Sequence, residues 1–208
     1  MRGWLHFWSF FVSLATGATL IAVAGSTVSE LAALATSVYV TTVLGLFGVS
    51  ALYHRRTWVS MAARLRMKRL DHSMIFLFIA GTYTPFMLLA MDRATGYVVL
   101  AVVWGGALCG VTLKLAWPHA PRWFGVPVYV AVGWVAVFVL PQLLHNGGVV
   151  ALVLLLAGGL LYTVGAIFYA TRWPNPWPTT FGHHEFFHAA TVLAALCHYI
   201  AIWFVLYR

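Results

Sequence analysis

The sequence predicts an all-α, polytopic membrane protein: a bundle of seven transmembrane helices. Three observations lead there. Of 208 residues, 62% are hydrophobic and only 8% are charged. Soluble domains carry roughly 25% charge, so this chain cannot clothe a soluble fold, and so apolar a chain does not stay disordered. Its apolar runs are near the ~20 residues of a spanning helix, far longer than the ~10-residue alternating segments of a membrane barrel. The cations, finally, gather between those runs. No repeat, low-complexity tract or large soluble insertion interrupts the pattern, so residues 1–208 read as one domain.

The first span is expected at 4–24. Arg2, an apolar run and Ala22-Val23-Ala24 imitate a secretory signal. The run is ~21 residues, however, against a usual signal core of about 7–15, which favours a spanning helix. Further spans are expected at 33–54, 71–91, 96–116, 124–143, 148–170 and 183–206, each bounded by polar or Gly/Pro breaks. The connections are short except 55–70 and the Pro-rich 171–182. The segment 55–70 reads as a short amphipathic surface helix, with Met61, Leu65 and Met67 among cations. Cys109 and Cys197 fall inside apolar runs without metal-ligand spacing and read as buried, reduced thiols.

Seven spans put the termini on opposite sides, and charge sets which is which. With the N-terminus in the cytoplasm, Arg2, Arg55, Arg56, Arg64, Arg66, Lys68, Arg69, Lys114, Arg122 and Arg172 are inside; only Arg93 and Arg208 are outside. The bias fixes an N-in, C-out orientation. The net charge of +8 stands against four acids: Glu30, Asp71, Asp92 and Glu185. In a soluble protein it would suggest nucleic acid; here it predicts contact of segment 55–70 with anionic lipid headgroups, and no nucleic-acid partner.

Ionisable groups at or inside spanning helices are functional candidates by default. Helix 2 ends in Ser50-Ala51-Leu52-Tyr53-His54, helix 3 begins Arg69-Leu70-Asp71-His72, and helix 7 begins His183-His184-Glu185-Phe186-Phe187-His188. In the seven-span topology all three clusters lie at the cytoplasmic level, so one site is expected. Residues i and i+4 sit about 40° apart and ~6 Å along a helix. His184 and His188 can therefore reach one ion, and Ser50 and His54 share a face. Catalytic zinc takes three protein ligands and keeps an open position; His54, His184 and His188 supply three imidazoles. The alternative is a hydrogen-bonded polar network without metal.

Other polar residues take lesser places. His184 to His188 matches H-E-x-x-H, in which the Glu is the base of a metalloprotease. Thr191 and Ala194 stand where the extended motif needs Gly and His. The competing reading of Glu185 is an acid in the first turn of a helix, and Asp71 has the same alternative. His198 lies ~15 Å deeper than His188, too far for the same ion; it lines a cavity or is a hydrogen-bonded core histidine. His72 and His183 point ~100° away from their neighbours and rank second. His6, His119 and His145 sit at ends and loops and receive no role. Pro85 is expected to kink helix 3 and open room between helices, although membrane helices also carry proline without a role.

With these residues in hand, the chain resembles the hemolysin III family, the bacterial branch of the progestin and adipoQ receptor family. Three segments carry the resemblance: Ser50-x-x-x-His54; Arg69-Leu70-Asp71-His72 running to Ala80-Gly81-Thr82-Tyr83-Thr84-Pro85; and Phe181-Gly182-His183-His184-Glu185-x-Phe187-His188 running to Cys197-His198-Tyr199. The resemblance implies a zinc ion held near the cytoplasmic face by His54, His184 and His188, with Ser50 and Asp71 approaching it through water. The adiponectin receptors of that family lack an acid at the position of Glu185, which favours Asp71 as the base. Ceramide-cleaving enzymes of the wider superfamily imply hydrolysis of lipid amides. The location implied is a bacterial inner, or plasma, membrane.

Four functions follow as expectations. The first is a zinc-dependent intramembrane hydrolase of an acyl-lipid amide or ester, with Asp71 and Ser50 as catalytic residues and the lipid admitted into the bundle. The second is a non-enzymatic sensor or regulator of lipid state, in which zinc staples helices 2 and 7. A lytic pore is disfavoured, because helices 1, 4, 5 and 6 offer almost no ionisable residue in mid-membrane. An intramembrane protease rests on the H-E-x-x-H match alone.

Overall fold

The computed structural model describes residues 3–117 and 122–208, of 122–124 the backbone only. Arg2 and His119 lie outside the described residues, as does the side chain of Arg122. Among the described residues the chain is helical, without strands, in the order α1 Trp4–Thr27, α2 Glu30–Arg55, α3 Met61–Ala90, α4 Arg93–Ala116, α5 Arg122–Gly133, a 3-10 segment Trp134–Val139, α6 Leu140–Thr171 and α7 His183–Leu206. Six stretches are long and apolar enough to cross a membrane, one of them the 47-residue Gly125–Thr171. The chain is thus an integral membrane helical bundle.

The helices begin where side chains can satisfy their free N–H groups. Ser29 accepts from Ala32 N–H, Ser60 from Ala63 N–H and Asp92 from Thr95 N–H. Capping at Ser60 corrects one expectation. The segment after it is no separate surface helix: α3 runs unbroken from Met61 through Pro85 to Ala90. Nothing at Arg69-Leu70-Asp71 breaks a helix, and at ~1.5 Å per residue the extra turns carry the cations beyond the hydrocarbon layer. Asp71 consequently lies ten residues inside α3, which removes its reading as a helix N-terminal acid. A smaller correction concerns Cys109, a free thiol that is exposed on the bundle surface, where a membrane helix meets lipid; Cys197 is half-buried and also free.

The 47-residue stretch has two interruptions. At the first, α5 gives way to the 3-10 segment. Tyr83 of α3 satisfies the freed backbone, its hydroxyl donating to the Gly133 carbonyl at 2.7 Å and accepting from Ala136 N–H at 2.6 Å. Backbone loosened at membrane depth needs such a partner. At the second, Gly148 adopts φ 82°, ψ 173°, a region essentially restricted to glycine. The chain turns there beside the end of α7: a Cβ on Gly148 would collide with the Arg208 guanidinium. Close by, Gln142 donates to Asp92 at 2.7 Å and Asn146 to the Ala90 carbonyl at 2.8 Å.

The core lies along α2 and α3, where Phe47, Phe76 and Phe86 are almost wholly buried. These two helices approach so closely at Gly81 that a Cβ there would strike the side chain of Thr42, the small-residue packing by which membrane helices associate. At one end of the bundle the Thr27 and Tyr207 hydroxyls are 2.9 Å apart. At the other, the Arg55 guanidinium lies 3.6 Å from the Trp4 ring and His6 stacks on His188. α1 and α7 therefore run parallel, and their first turns meet the last turn of α2.

Candidate metal centre

At that end of the bundle the three predicted histidines converge. His54 closes α2, and His184 and His188 occupy the first two turns of α7. One ring nitrogen from each lies within 4.8 Å of the others, and the Nε2 atoms of His54 and His184 are 3.2 Å apart. Two imidazoles on a tetrahedral zinc, each at about 2.0–2.1 Å, hold their nitrogens about 3.3 Å apart. The donor set, three imidazoles from two helices, suits a first-row metal with a fourth position open. The residues fit the ion.

Asp71 reaches the cluster from α3. Its Oδ2 is 4.0 Å from His54 Nε2 and 3.7 Å from His72 Nδ1. Ser50, buried one turn below His54, lies close to the Asp71 carboxylate. Its oxygen also lies 2.8 Å from Nδ1 of His6. A hydroxyl both donates and accepts, so either neutral tautomer of His6 can make this bond. The Nε2 of His6 is buried without a hydrogen-bond partner. The same ring stacks on His188 with centroids 3.9 Å apart and planes 4° from parallel.

His6 is the residue that sequence reasoning missed. It was set aside as lying at a chain end. The usable signal was an ionisable group one turn inside the first apolar run, at the level of the three clusters. The second-rank residues divide. His72 donates from Nδ1 to the Lys68 carbonyl at 2.8 Å, lies 3.4 Å from the Tyr169 hydroxyl and faces the site cavity. His183 does not line that cavity. Glu185 is buried and its Oε2 accepts from Gly182 N–H at 2.9 Å, capping a free backbone donor at the start of α7. That contact favours the helix-cap reading over a protease base.

The cavity measures about 780 Å³ and runs from the histidines between α3, α5, α6 and α7. Its walls mix Ile75, Ile79 and Val130 with Thr82, Tyr162 and Thr163. His198 stands in it too, away from the metal cluster, with Nε2 donating to the Leu155 carbonyl at 3.2 Å. Both expectations for that residue hold together: it lines the cavity and is hydrogen-bonded in the core. A cavity of this size and apolar character suits an acyl chain or a comparable small ligand.

Known proteins resemble this chain along most of its length. The family described as "Haemolysin-III related" matches residues 1–199. The chain is 40% identical over 100 residues to Hemolysin-3 of Bacillus cereus, covering 48% of this chain and 46% of that protein. It is 33% identical over 150 residues to the Hemolysin-3 homolog of Bacillus subtilis, covering 69% and 68%. A human protein, monocyte to macrophage differentiation factor, is 25% identical over 166 residues, covering 78% and 66%. The match to the first of these spans under half of the relative's length. With six apolar helices and Bacillus relatives, an integral protein of a bacterial plasma membrane is the consistent location. The family match covers nearly the whole chain and the bundle of apolar helices agrees with it, and the chain belongs to the haemolysin III family.

Proposed function

We propose that the protein is a zinc-dependent intramembrane hydrolase of an acyl-lipid amide or ester. The observation that carries the reading is the placement of His54, His184 and His188 on the wall of an apolar cavity, with Asp71 4.0 Å from one of them. When bound to three neutral imidazoles, zinc lowers the pKa of water toward ~7 and polarises a carbonyl. Asp71 then has the chemistry and the position to orient a water and take its proton. Ser50 holds the Asp71 carboxylate through its hydroxyl, and His6 holds Ser50. The cavity takes the acyl chain and keeps bulk water away from the reacting carbonyl.

The topology belongs to the same reading. Parallel α1 and α7 require an even number of crossings between the end of α4 and the start of α7, and Gly148 divides Gly125–Thr171 into two. On this reading the chain has seven spans, and the basic segment 55–70 supports a cytoplasmic site end against anionic headgroups.

One observation favours a second reading. The cluster joins α2 to α7, so zinc could act as a staple in a sensor or regulator of lipid state. Two measurements separate these ideas. Elemental analysis of the purified wild type should find about one zinc per chain, lost in His188→Ala; metal-free, well-folded wild type that takes up no added zinc would sink both. Asp71→Ala should keep zinc and lose turnover of lipid amides or esters. Unchanged turnover would remove Asp71 as the base; an intact cellular response in a protein that turns over no lipid leaves the regulator.

A further inference from the structure

The cavity mouth carries a charge pattern that water-splitting chemistry does not need. Arg56, Arg64, Lys68, Arg69 and Lys114 line it, and Asp71 is the one acid among the lining residues. Of the chain's other acids, Glu185 is tied to the α7 cap and Asp92 sits at the opposite end of the bundle, bonded to Gln142. Glu30 opens α2, a helix length from the site. Four uncompensated positive charges therefore face one concave space, where low-dielectric walls concentrate their field.

Two of these cations are built into the wall. Lys68 belongs to α3 and Lys114 to the last turn of α4, and each is close enough to feel the other's charge. The Lys114 ammonium lies against Gly125 of α5, so near that a Cβ there would meet Nζ at 2.5 Å. The absent side chain is the space the ammonium occupies. Among the described residues neither lysine has an ion pair or side-chain hydrogen bond. Two ammonium groups from adjacent helices, turned toward one half-enclosed space, repel each other unless an anion lies between them.

We propose that Lys68 and Lys114 form an anion subsite that takes the phosphate of a net-negative phospholipid headgroup. Lysine binds phosphate as a point charge, and two ammoniums can share its separate oxygens. The apolar wall beyond, with Ile75, Ile79 and Val130, receives the acyl part of the same molecule. A free phosphate would leave that wall unused. A choline or ethanolamine headgroup would bring its own cation against Arg56, Arg64 and Arg69. The proposal rests on the hydrolase reading for its consequence: the substrate is an anionic acyl lipid, gripped by its headgroup at the mouth.

The test is native mass spectrometry of the full chain in a zwitterionic detergent. Phosphatidylglycerol and phosphatidylcholine with the same acyl chains are titrated separately. Wild type should retain one phosphatidylglycerol in preference to phosphatidylcholine. The double variant Lys68→Ala with Lys114→Ala should lose that preference by roughly 10- to 30-fold. Arg66→Ala, which removes an exposed cation outside the cavity lining, should keep it. Should the double variant not fold, Lys114→Gln alone must show a loss that Arg66→Ala does not. Equal losses in all variants would assign the effect to the surface field and overturn the subsite. So would equal retention of both lipids by wild type. Displacement of the lipid by millimolar inorganic phosphate would overturn the lipid assignment. Zinc content of the same samples reports on the metal centre separately: zinc absent with lipid selectivity intact defeats the hydrolase reading alone, and the reverse defeats the subsite alone.

Discussion

Replacing His6 by phenylalanine isolates one bond in the site. Phenylalanine keeps a flat ring to lie over His188, where the centroids are now 3.9 Å apart. It removes the Nδ1 that shares a hydrogen bond with Ser50 across 2.8 Å. Side-chain hydrogen bonds within membrane bundles contribute about 0.6 kcal/mol on average and at most about 1.7. This one is short and buried, and it holds a hydroxyl close to a carboxylate, so the coupling is expected near the upper part of that range, about 1 to 1.5 kcal/mol. The assay is a double-mutant cycle of wild type, His6→Phe, Ser50→Ala and the combination, each unfolded reversibly in mixed micelles with zinc saturating. The single substitutions should each cost more than the second substitution costs on top of the first. Additivity within about 0.3 kcal/mol would refute the chain of contacts from His6 through Ser50 to Asp71. A weakened zinc affinity in His6→Phe, read by chelator competition, would show separately whether ring orientation alone serves the metal.

Further outcomes follow from other contacts. Glu185→Ala should cost about 1–2 kcal/mol, the range of a lost helix cap, while Glu185→Gln, which can still cap, should remain close to wild type in stability and in zinc content by elemental analysis. Loss of zinc-dependent turnover in Glu185→Gln with zinc retained would return that residue to the role of base. Gly81→Ala should destabilise by about 1–3 kcal/mol in the same unfolding assay, because its methyl enters the space of Thr42. Asp92, outside the spans, has its carboxyl pKa lowered to about 2 by hydrogen bonds from the Thr95 N–H and Gln142. A depressed folded-state pKa stabilises above the ordinary value and is lost on acidification. Unfolding followed between about pH 4 and 2 should therefore show a loss of stability in wild type that Asp92→Asn lacks.

Much of this molecule was legible in the chain because lipid imposes strict rules. The bounds of α7, 183–206, were read correctly, since Gly182 and the preceding prolines mark its start and the apolar run its end. The histidine cluster was legible for the same reason: polar groups stand out where the solvent is hydrocarbon. What escaped notice was set by tertiary contact. The continuity of α3 was hidden because cations read as an interface while a helix passes through an interface unbroken. The 3-10 segment Trp134–Val139 has no local signal, and its backbone is held by Tyr83, about fifty residues away. His6 looked like a terminal residue until α1 was packed beside α7.

The histidine cluster draws its first member from residue 54 and its last from residue 188, so it spans most of the chain's length. At ~5–20 residues per second of synthesis, His54 waits about 7 to 27 s for its last partner. During membrane insertion it stands beside Asp71 without the imidazoles of α7. The three ring nitrogens come together only once the final helix has entered the bilayer and docked along α1. Completion of the cluster therefore reports completion of the chain: a nascent protein stalled before its last helix leaves His54 without the two imidazoles that α7 brings.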